Sequence, residues 1–370
     1  MPSSADTDYR KQELPKPGRY VPALTGLRAV AAYLVFLHHY NPASAGTFAY
    51  HLFDQGYVGV SIFFVLSGFL IYYRYADTYI SRQNWSWRVY LQNRFARIFP
   101  LYGFVLLLTD GLNTWAGHPM NSILFVLNVT LLKGFFDAYK FSGIPQSWSL
   151  TVEICFYLIA PLLFVYLRTA GVILLTLCSV SLGILLWLTV GQMPWYGLFG
   201  SLHFVVFYTI FGRAFEFLAG MWLARRWQQN QLIGWRYATF SGLLISSGCI
   251  LWQANVASFI TSPVYLFLSE MTVYNFLLPI GIGLLLLGLL QENSLIRSLL
   301  STPFMQMLGR SSYGFYLIHL GVIATGLRKI GITTNWPLFG LLIFIAFIVH
   351  IAVEKPLHRI FRATINQQRA

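Results

Sequence analysis

The chain has 370 residues, of which 56% are hydrophobic, 17% aromatic and only 10% charged, against about 25% charged in an ordinary soluble domain. With a mean hydropathy of +0.60, it has too few polar side chains to cover itself against water, which excludes a soluble enzyme and leaves lipid as the covering. The net charge of +13 reads as membrane topology rather than nucleic-acid binding, because polytopic proteins concentrate lysine and arginine on the cytoplasmic side.

Residues 1–22 are polar and contain prolines, without the apolar stretch and small-residue cleavage site of a signal peptide. They are expected to form a cytoplasmic tail, followed by a transmembrane domain over 23–355 and a basic cytoplasmic tail over 356–370. Apolar runs long enough to cross about 30 Å of hydrocarbon as helices fall at 24–42, 56–75, 98–115, 148–168, 171–190, 203–224, 237–255, 272–290, 311–328 and 336–353. They predict an all-α polytopic membrane protein with about ten transmembrane helices and both termini cytoplasmic. The segment "NSILFVLNVTLLKG" (121–134) is short and polar, and reads as a dipping or interfacial element. Of the 25 lysines and arginines, only Lys133, Lys140, Arg213, Arg328 and Lys329 then fall outside, which supports the even count. No transporter-like internal repeat is visible. Cys155, Cys178 and Cys249 lie in apolar stretches and make no disulfide or metal pattern.

The first span, "LTGLRAVAAYLVFLHHY" (24–40), carries Arg28, His38 and His39. At 100° per residue, Arg28 and His39 share one face and lie about 16 Å apart along the axis, whereas His38 points elsewhere. An arginine at the centre of a span costs about 2.5–3.5 kcal/mol even on lenient insertion scales. The pair therefore predicts a polar lane inside the bundle; the alternative is that each side chain snorkels to its nearest headgroup layer. In the second span, "GVSIFFVLSGFLIYY" (59–73), Ser67 and Gly68 read as a packing site.

At the start of the third span, "NRFARIFPLY" (93–102) sets Arg94 and Arg97 one turn apart at an expected helix N-terminus. They either bind phosphates or serve as ordinary inside anchors. The fourth, "IPQSWSLTVEICFYLIAPLL" (144–163), puts Ser149 and Glu153 on one face, with Tyr157 one turn on. An intramembrane glutamate faces a cavity or a partner. Histidine is its natural partner, because a carboxylate on one ring nitrogen orients the imidazole and raises the basicity of the other. A helix-holding pair with a basic residue is the alternative.

Further along, "GRAFEFLAG" (212–220) places Arg213 and Glu216 as an intrahelical ion pair. "LGRSSYGFYLIH" (308–319) delivers His319 into the ninth span, and "EKPLHRIFR" (354–362) closes the bundle with a basic inner end. His118, His350 and His358 have no spaced partner and read as structural. No metal site is predicted, and there is no HExxH, GxSxG or Walker A pattern.

The stretches "LTGLRAVAAYLVFLHH", "FFVLSGFL", "RFARIFPLY", "SWSLTVEICFYLIAPLL", "LGRSSYGFYLIH" and "VEKPLHR" run in this order from about residue 23 to 362. Together they resemble the integral-membrane acyltransferase-3 family, which includes bacterial O-acetyltransferases of cell-surface polysaccharides. The sequence is similar to members without an appended extracytoplasmic SGNH-type domain. The resemblance implies a ten-helix enzyme of the bacterial inner membrane with no tightly bound cofactor. Such an enzyme takes an acyl group, usually acetyl from acetyl-CoA, at the cytoplasmic side and passes it to a carbohydrate or glycolipid hydroxyl outside.

The family's Arg-x10-His motif falls on Arg28 and His39, its Ser-x3-Glu motif on Ser149 and Glu153, and its paired arginines on Arg94 and Arg97. The expected roles are donor phosphates on Arg94, Arg97 and Arg28, His39 as general base oriented by Glu153, and Ser149 as a supporting hydrogen bonder. An acyl-His39 intermediate is the alternative chemistry. The competing functions are a transporter or flippase using the same lane, and an acyl donor to a separate partner transferase in the envelope polysaccharide machinery.

Overall fold

In hydrocarbon every backbone N–H and C=O must be paired within the spanning segment, which helices achieve and open sheets do not. The computed structural model describes residues 20–83, 85–232 and 234–362. Among these residues, β pairing is limited to an isolated bridge between Phe136 and Leu198. The helices, in order, are α1 Pro22–His39, α2 Phe48–Asp54, α3 Val58–Ile80, α4 Trp87–Trp115, α5 Ser122–Val129 and α6 Trp148–Leu163. They continue with α7 Thr169–Thr189, α8 Leu202–Tyr208, α9 Ile210–Gln228, α10 Ala238–Asn255, α11 Pro263–Thr272 and α12 Leu278–Gln291. The last five are α13 Leu295–Leu300, α14 Pro303–Ile318, α15 Val322–Lys329, α16 Asn335–Val349 and α17 Lys355–Phe361.

Among the described residues, 8 helical stretches are long and apolar enough to cross a membrane. The remaining two of the expected ten are α1, 18 residues that include Arg28, His38 and His39, and α14, of 16 residues. Both sit inside the bundle. α3 lies between α1 and α9 at backbone contact: a Cβ on Gly59 would meet the Ala31 carbonyl, and one on Gly68 the Phe217 carbonyl. α14 runs beside α1, with Gly309 against Thr25. By contrast, α7 and α16 belong to stretches only 17% buried, and these form the lipid-facing rim.

Several boundaries differ from expectation. The third span begins at Trp87, capped by the Ser86 hydroxyl, so Arg94 and Arg97 lie well inside a helix. The ninth occupies 303–318 rather than 311–328, and ends in a break where Gly321 takes φ +87°. The eighth is two helices joined by a π-helical turn at Val273–Leu277, and a second such turn covers His350–Glu354. Each turn is followed, two residues on, by a proline, Pro279 and Pro356. Proline lacks an N–H and its ring collides with the carbonyl four residues back, and widening the preceding turn relieves both problems.

The 121–134 segment forms α5, whose 8 residues span about 12 Å and cannot cross the bilayer, then a 3-10 turn at Leu132–Phe135. There, buried Lys133 ties the loop together by donating to the Ser142 and Ile144 carbonyls. Tyr20 donates to Gln306 at the start of α14, and Gln92 near the start of α4 donates to the Phe361 carbonyl. Both ends of the described chain thus reach one end of the bundle, as an even number of crossings requires. Of the expected tails, residues 1–19 and 363–370 lie outside the described residues.

Candidate active site

Arg28, Arg94, Arg97, Ser149 and Glu153 all line one cavity of about 110 Å³, together with Ser67, Tyr157, Tyr313 and Tyr316. It lies among α1, α3, α4, α6 and α14. Five of the six expected site residues are therefore brought together. Three guanidiniums face the single carboxylate of Glu153, with Glu354 close by, so the cavity carries excess positive charge in an apolar bundle.

The three arginines are held differently. Arg94 donates to the Tyr75 hydroxyl at 2.9 Å, and its guanidinium carbon lies 5.1 Å from the Tyr75 ring centroid and 5.5 Å from that of Tyr157. It is fixed between two aromatic faces. Arg97 lies 3.9 Å from Glu354 Oε1, and the other oxygen of Glu354 bonds His350 Nδ1 at 2.8 Å. Arg28 makes no hydrogen bond or ion pair among the described residues. Because α4 starts at Trp87, Arg94 and Arg97 are far from its first turn. The expected helix-dipole contribution to anion binding is therefore absent, since that field fades within the first turn.

Glu153 is hydrogen-bonded by Ser67 Oγ at 2.7 Å and by the Tyr157 hydroxyl, both on Oε1. Ser67 and Gly68 divide their work, Gly68 meeting α9 while Ser67 faces Glu153. Ser149 donates to the Gln146 carbonyl at 3.0 Å and shares a hydrogen bond with the Tyr316 hydroxyl at 2.9 Å. It thereby braces α6 against α14.

His39 is not among the lining residues. It is exposed at the last residue of α1, and its ring lies 4.7 Å from His38 and 5.4 Å from His319, between centroids. The expected Glu153–His39 hydrogen bond is not formed. Glu153 sits in the second turn of α6 opposite Ser67 of α3, whereas His39 is at the very end of α1. His38, which the sequence left without a role, is tethered to α2: its Nδ1 lies 2.5 Å from the Asp54 carbonyl and 3.3 Å from Asp54 Oδ1. His319 is fully buried beside Tyr316, with ring centroids 5.6 Å apart. Tyr316 therefore lines the cavity on one side and reaches the histidine group on the other.

Reading the sequence missed Ser67, Tyr75, His350 and Glu354. The His350–Glu354 pair, four residues apart, was legible as spacing, and it corrects the expectation that His350 lacks a partner. Ser67 and Glu153 are 86 residues apart, and no local signal joins them. Arg213 and Glu216 form the expected pair at 2.8 Å, both buried, with Arg213 also donating to Ser61.

A family model described as an acyltransferase domain matches residues 21–355. The peptidoglycan O-acetyltransferase OatA of Listeria monocytogenes is 27% identical over 325 residues, covering 82% of this chain and 50% of that protein. YrhL of Bacillus subtilis, provisionally named a peptidoglycan O-acetyltransferase, is 28% identical over 376 residues, 92% of this chain and 55% of its own length. A provisionally named O-acetyltransferase of Staphylococcus aureus is 25% identical over 342 residues, 86% of this chain and 52% of its own. The chain thus spans about half the length of the curated relatives it matches. No solved structure is significantly similar to it.

Proposed function

The chain belongs to the acyltransferase family matched over residues 21–355 and is a multi-pass protein of the bacterial inner membrane, and on that premise we propose that it is an O-acyltransferase of the cell envelope. The donor is acyl-CoA, with acetyl the expected group, and the acceptor is a hydroxyl of a carbohydrate or glycolipid on the outer side. The observation that carries this reading is the unpaired guanidinium of Arg28, set with Arg94 and Arg97 in one cavity. A part-buried guanidinium inside the bundle with no hydrogen bond or ion pair is costly, and a polyanionic ligand supplies what is missing.

In this mechanism the donor phosphates enter at the end of the bundle that holds Tyr20 and Phe361, taken to be cytoplasmic. Arg28 takes them first, and Arg97 joins by exchanging Glu354 for phosphate, Glu354 keeping its bond to His350. Arg94, clamped by Tyr75 and Tyr157, acts as a fixed charge. The pantetheine arm then follows the face of α1 for the roughly 16 Å between Arg28 and His39, passing Glu153 and Tyr316. His39 accepts the proton of the acceptor hydroxyl as its oxygen attacks the thioester carbonyl. The C–S bond breaks, and the departing thiolate recovers that proton from His39. Among envelope glycans, peptidoglycan is the acceptor named for OatA, and it is the first to test.

The decisive experiment uses proteoliposomes loaded with radiolabelled acetyl-CoA and supplied outside with peptidoglycan fragments. We expect CoA release coupled to ester formation on the glycan, and loss of both in a correctly folded His39→Ala protein. Retention of near-wild-type transfer by that variant would refute the mechanism.

A further inference from the structure

Two imidazoles meet at the far end of the site, and neither has its hydrogen bonding completed. His319 follows the last residue of α14, is 0% exposed, and has its Nδ1 2.8 Å from the Tyr316 carbonyl. A carbonyl only accepts, so Nδ1 carries the hydrogen and Nε2 of the neutral ring is a lone pair. That Nε2 is buried and has no hydrogen-bond partner, which in a purely structural histidine is an uncompensated loss. The tautomer is firmly held. Gln146 Nε2 donates to the Tyr316 carbonyl at 2.8 Å and the Leu317 carbonyl at 2.7 Å, which fixes the broken end of α14. The ring lies parallel to Phe315 within 6°.

His39 is the mirror case. Its ring faces His319 at 5.4 Å and 28°, and it makes no hydrogen bond among the described residues. Its other ring neighbour, His38, is part-exposed with its Nδ1 on Asp54, and its Nε2 is not among the buried unpartnered atoms, as that of His319 is. Glu153, the partner that spacing suggested, is occupied by Ser67 and Tyr157.

We propose that His319 is the positioning residue for His39. In the reacting complex the Nε2 lone pair of His319 accepts the N–H of His39, which turns the opposite nitrogen of His39, bearing its lone pair, toward the acceptor hydroxyl. When His39 takes the hydroxyl proton it becomes an imidazolium with two N–H groups, one held by His319 and the other returned to the thiolate. No proton passes to His319. The arrangement gives His39 a fixed tautomer from a neutral, buried acceptor, leaving the carboxylate of Glu153 in the donor cavity. This inference rests on the acyl-transfer reading.

The test compares wild type, His319→Ala and His319→Phe in the proteoliposome assay, with thermal unfolding as the check on folding. His319→Phe keeps the ring packing against Phe315 and His39, and so carries the test even if His319→Ala does not fold. We expect kcat to fall by about 100-fold, the scale of lost general-base assistance, with the KM for acyl-CoA unchanged. Added imidazole should restore His319→Ala. Pyrrole, a ring of the same size with an N–H but no in-plane lone pair, should not. Equal rescue by pyrrole, or a His319→Phe protein with wild-type kcat, would overturn the role of His319 while leaving acyl transfer standing. An absence of transfer by the wild-type protein would overturn the acyl-transfer reading, and this inference with it.

Discussion

Replacing Arg28 with methionine removes a charge of nearly constant shape from the one position in the cavity where that charge has no partner. Nothing is orphaned by the change, because no carboxylate or hydroxyl of the described residues bonds to Arg28. A guanidinium inside a span costs about 2.5–3.5 kcal/mol on the insertion scale, so Arg28→Met should unfold at the wild-type temperature or above it. Ligand affinity should move the other way. A hydrogen bond to a charged group is worth about 1.5–3 kcal/mol, which converts to a loss of roughly 10- to 150-fold in acyl-CoA affinity. Arg97→Met provides the contrast, since it strips Glu354 of its cation and leaves only His350, so it should lose stability as well as affinity. Tm in detergent and Kd for a non-hydrolysable acyl-CoA analogue measure both quantities. Unchanged Kd in Arg28→Met, or a fall in its Tm as large as that of Arg97→Met, would refute the reasoning.

Glu153→Gln keeps the acceptor oxygen used by Ser67 and Tyr157 but removes a negative charge beside the arginines proposed to bind phosphate. It should tighten acyl-CoA binding by about fivefold, equivalent to about 1 kcal/mol, while lowering kcat; a joint loss of affinity and rate would contradict the placement of Glu153 in the donor cavity. Gly68→Ala sets a Cβ 2.1 Å from the Phe217 carbonyl oxygen and should cost about 1–3 kcal/mol by wedging α3 from α9. Gly103→Ala in α4, with nothing within 4 Å, should be neutral or stabilising by about 0.5–1 kcal/mol; similar melting shifts for the two would show that α3 and α9 are not in backbone contact. Burial pushes the Lys133 ammonium down to about 7, so between pH 7 and its ordinary value near 10.5 the unfolded chain binds more protons than the folded one. Stability should therefore rise from pH 7 to 9 in wild type relative to Lys133→Met, and parallel pH profiles would count against a buried Lys133.

The helical arithmetic of α1 set Arg28 and His39 on one face, because eleven residues return to one face whatever else the chain does, but of the two only Arg28 lines the cavity. Arg94 with Arg97 and Ser149 with Glu153 were legible for the same reason, and the fold gathers them with Arg28 in one cavity. Geometry that depends on where helices begin or break was not legible. The start of α4 at Trp87 is set by the Ser86 cap, upstream of the apolar run, so hydropathy placed it eleven residues late. The break after Ile318 depends on Gln146, about 170 residues away in the chain. Partners such as Ser67 for Glu153 meet only across helices, and spacing along one helix is blind to them.

The helices that carry the arginine and the facing histidines, α1 and α14, fall outside the 8 stretches able by length and composition to cross a membrane. Arg28, His38 and His39 weigh on α1, and α14 is only 16 residues long. The order of assembly follows. α1, with Arg28, His38 and His39 among its 18 residues, gains from the cover of the helices that follow it. α14, its neighbour along most of its length, emerges more than 260 residues afterwards. The site is thus complete only once α14 has joined α1, and a chain cut before α14 that still inserts its apolar rim should be inert.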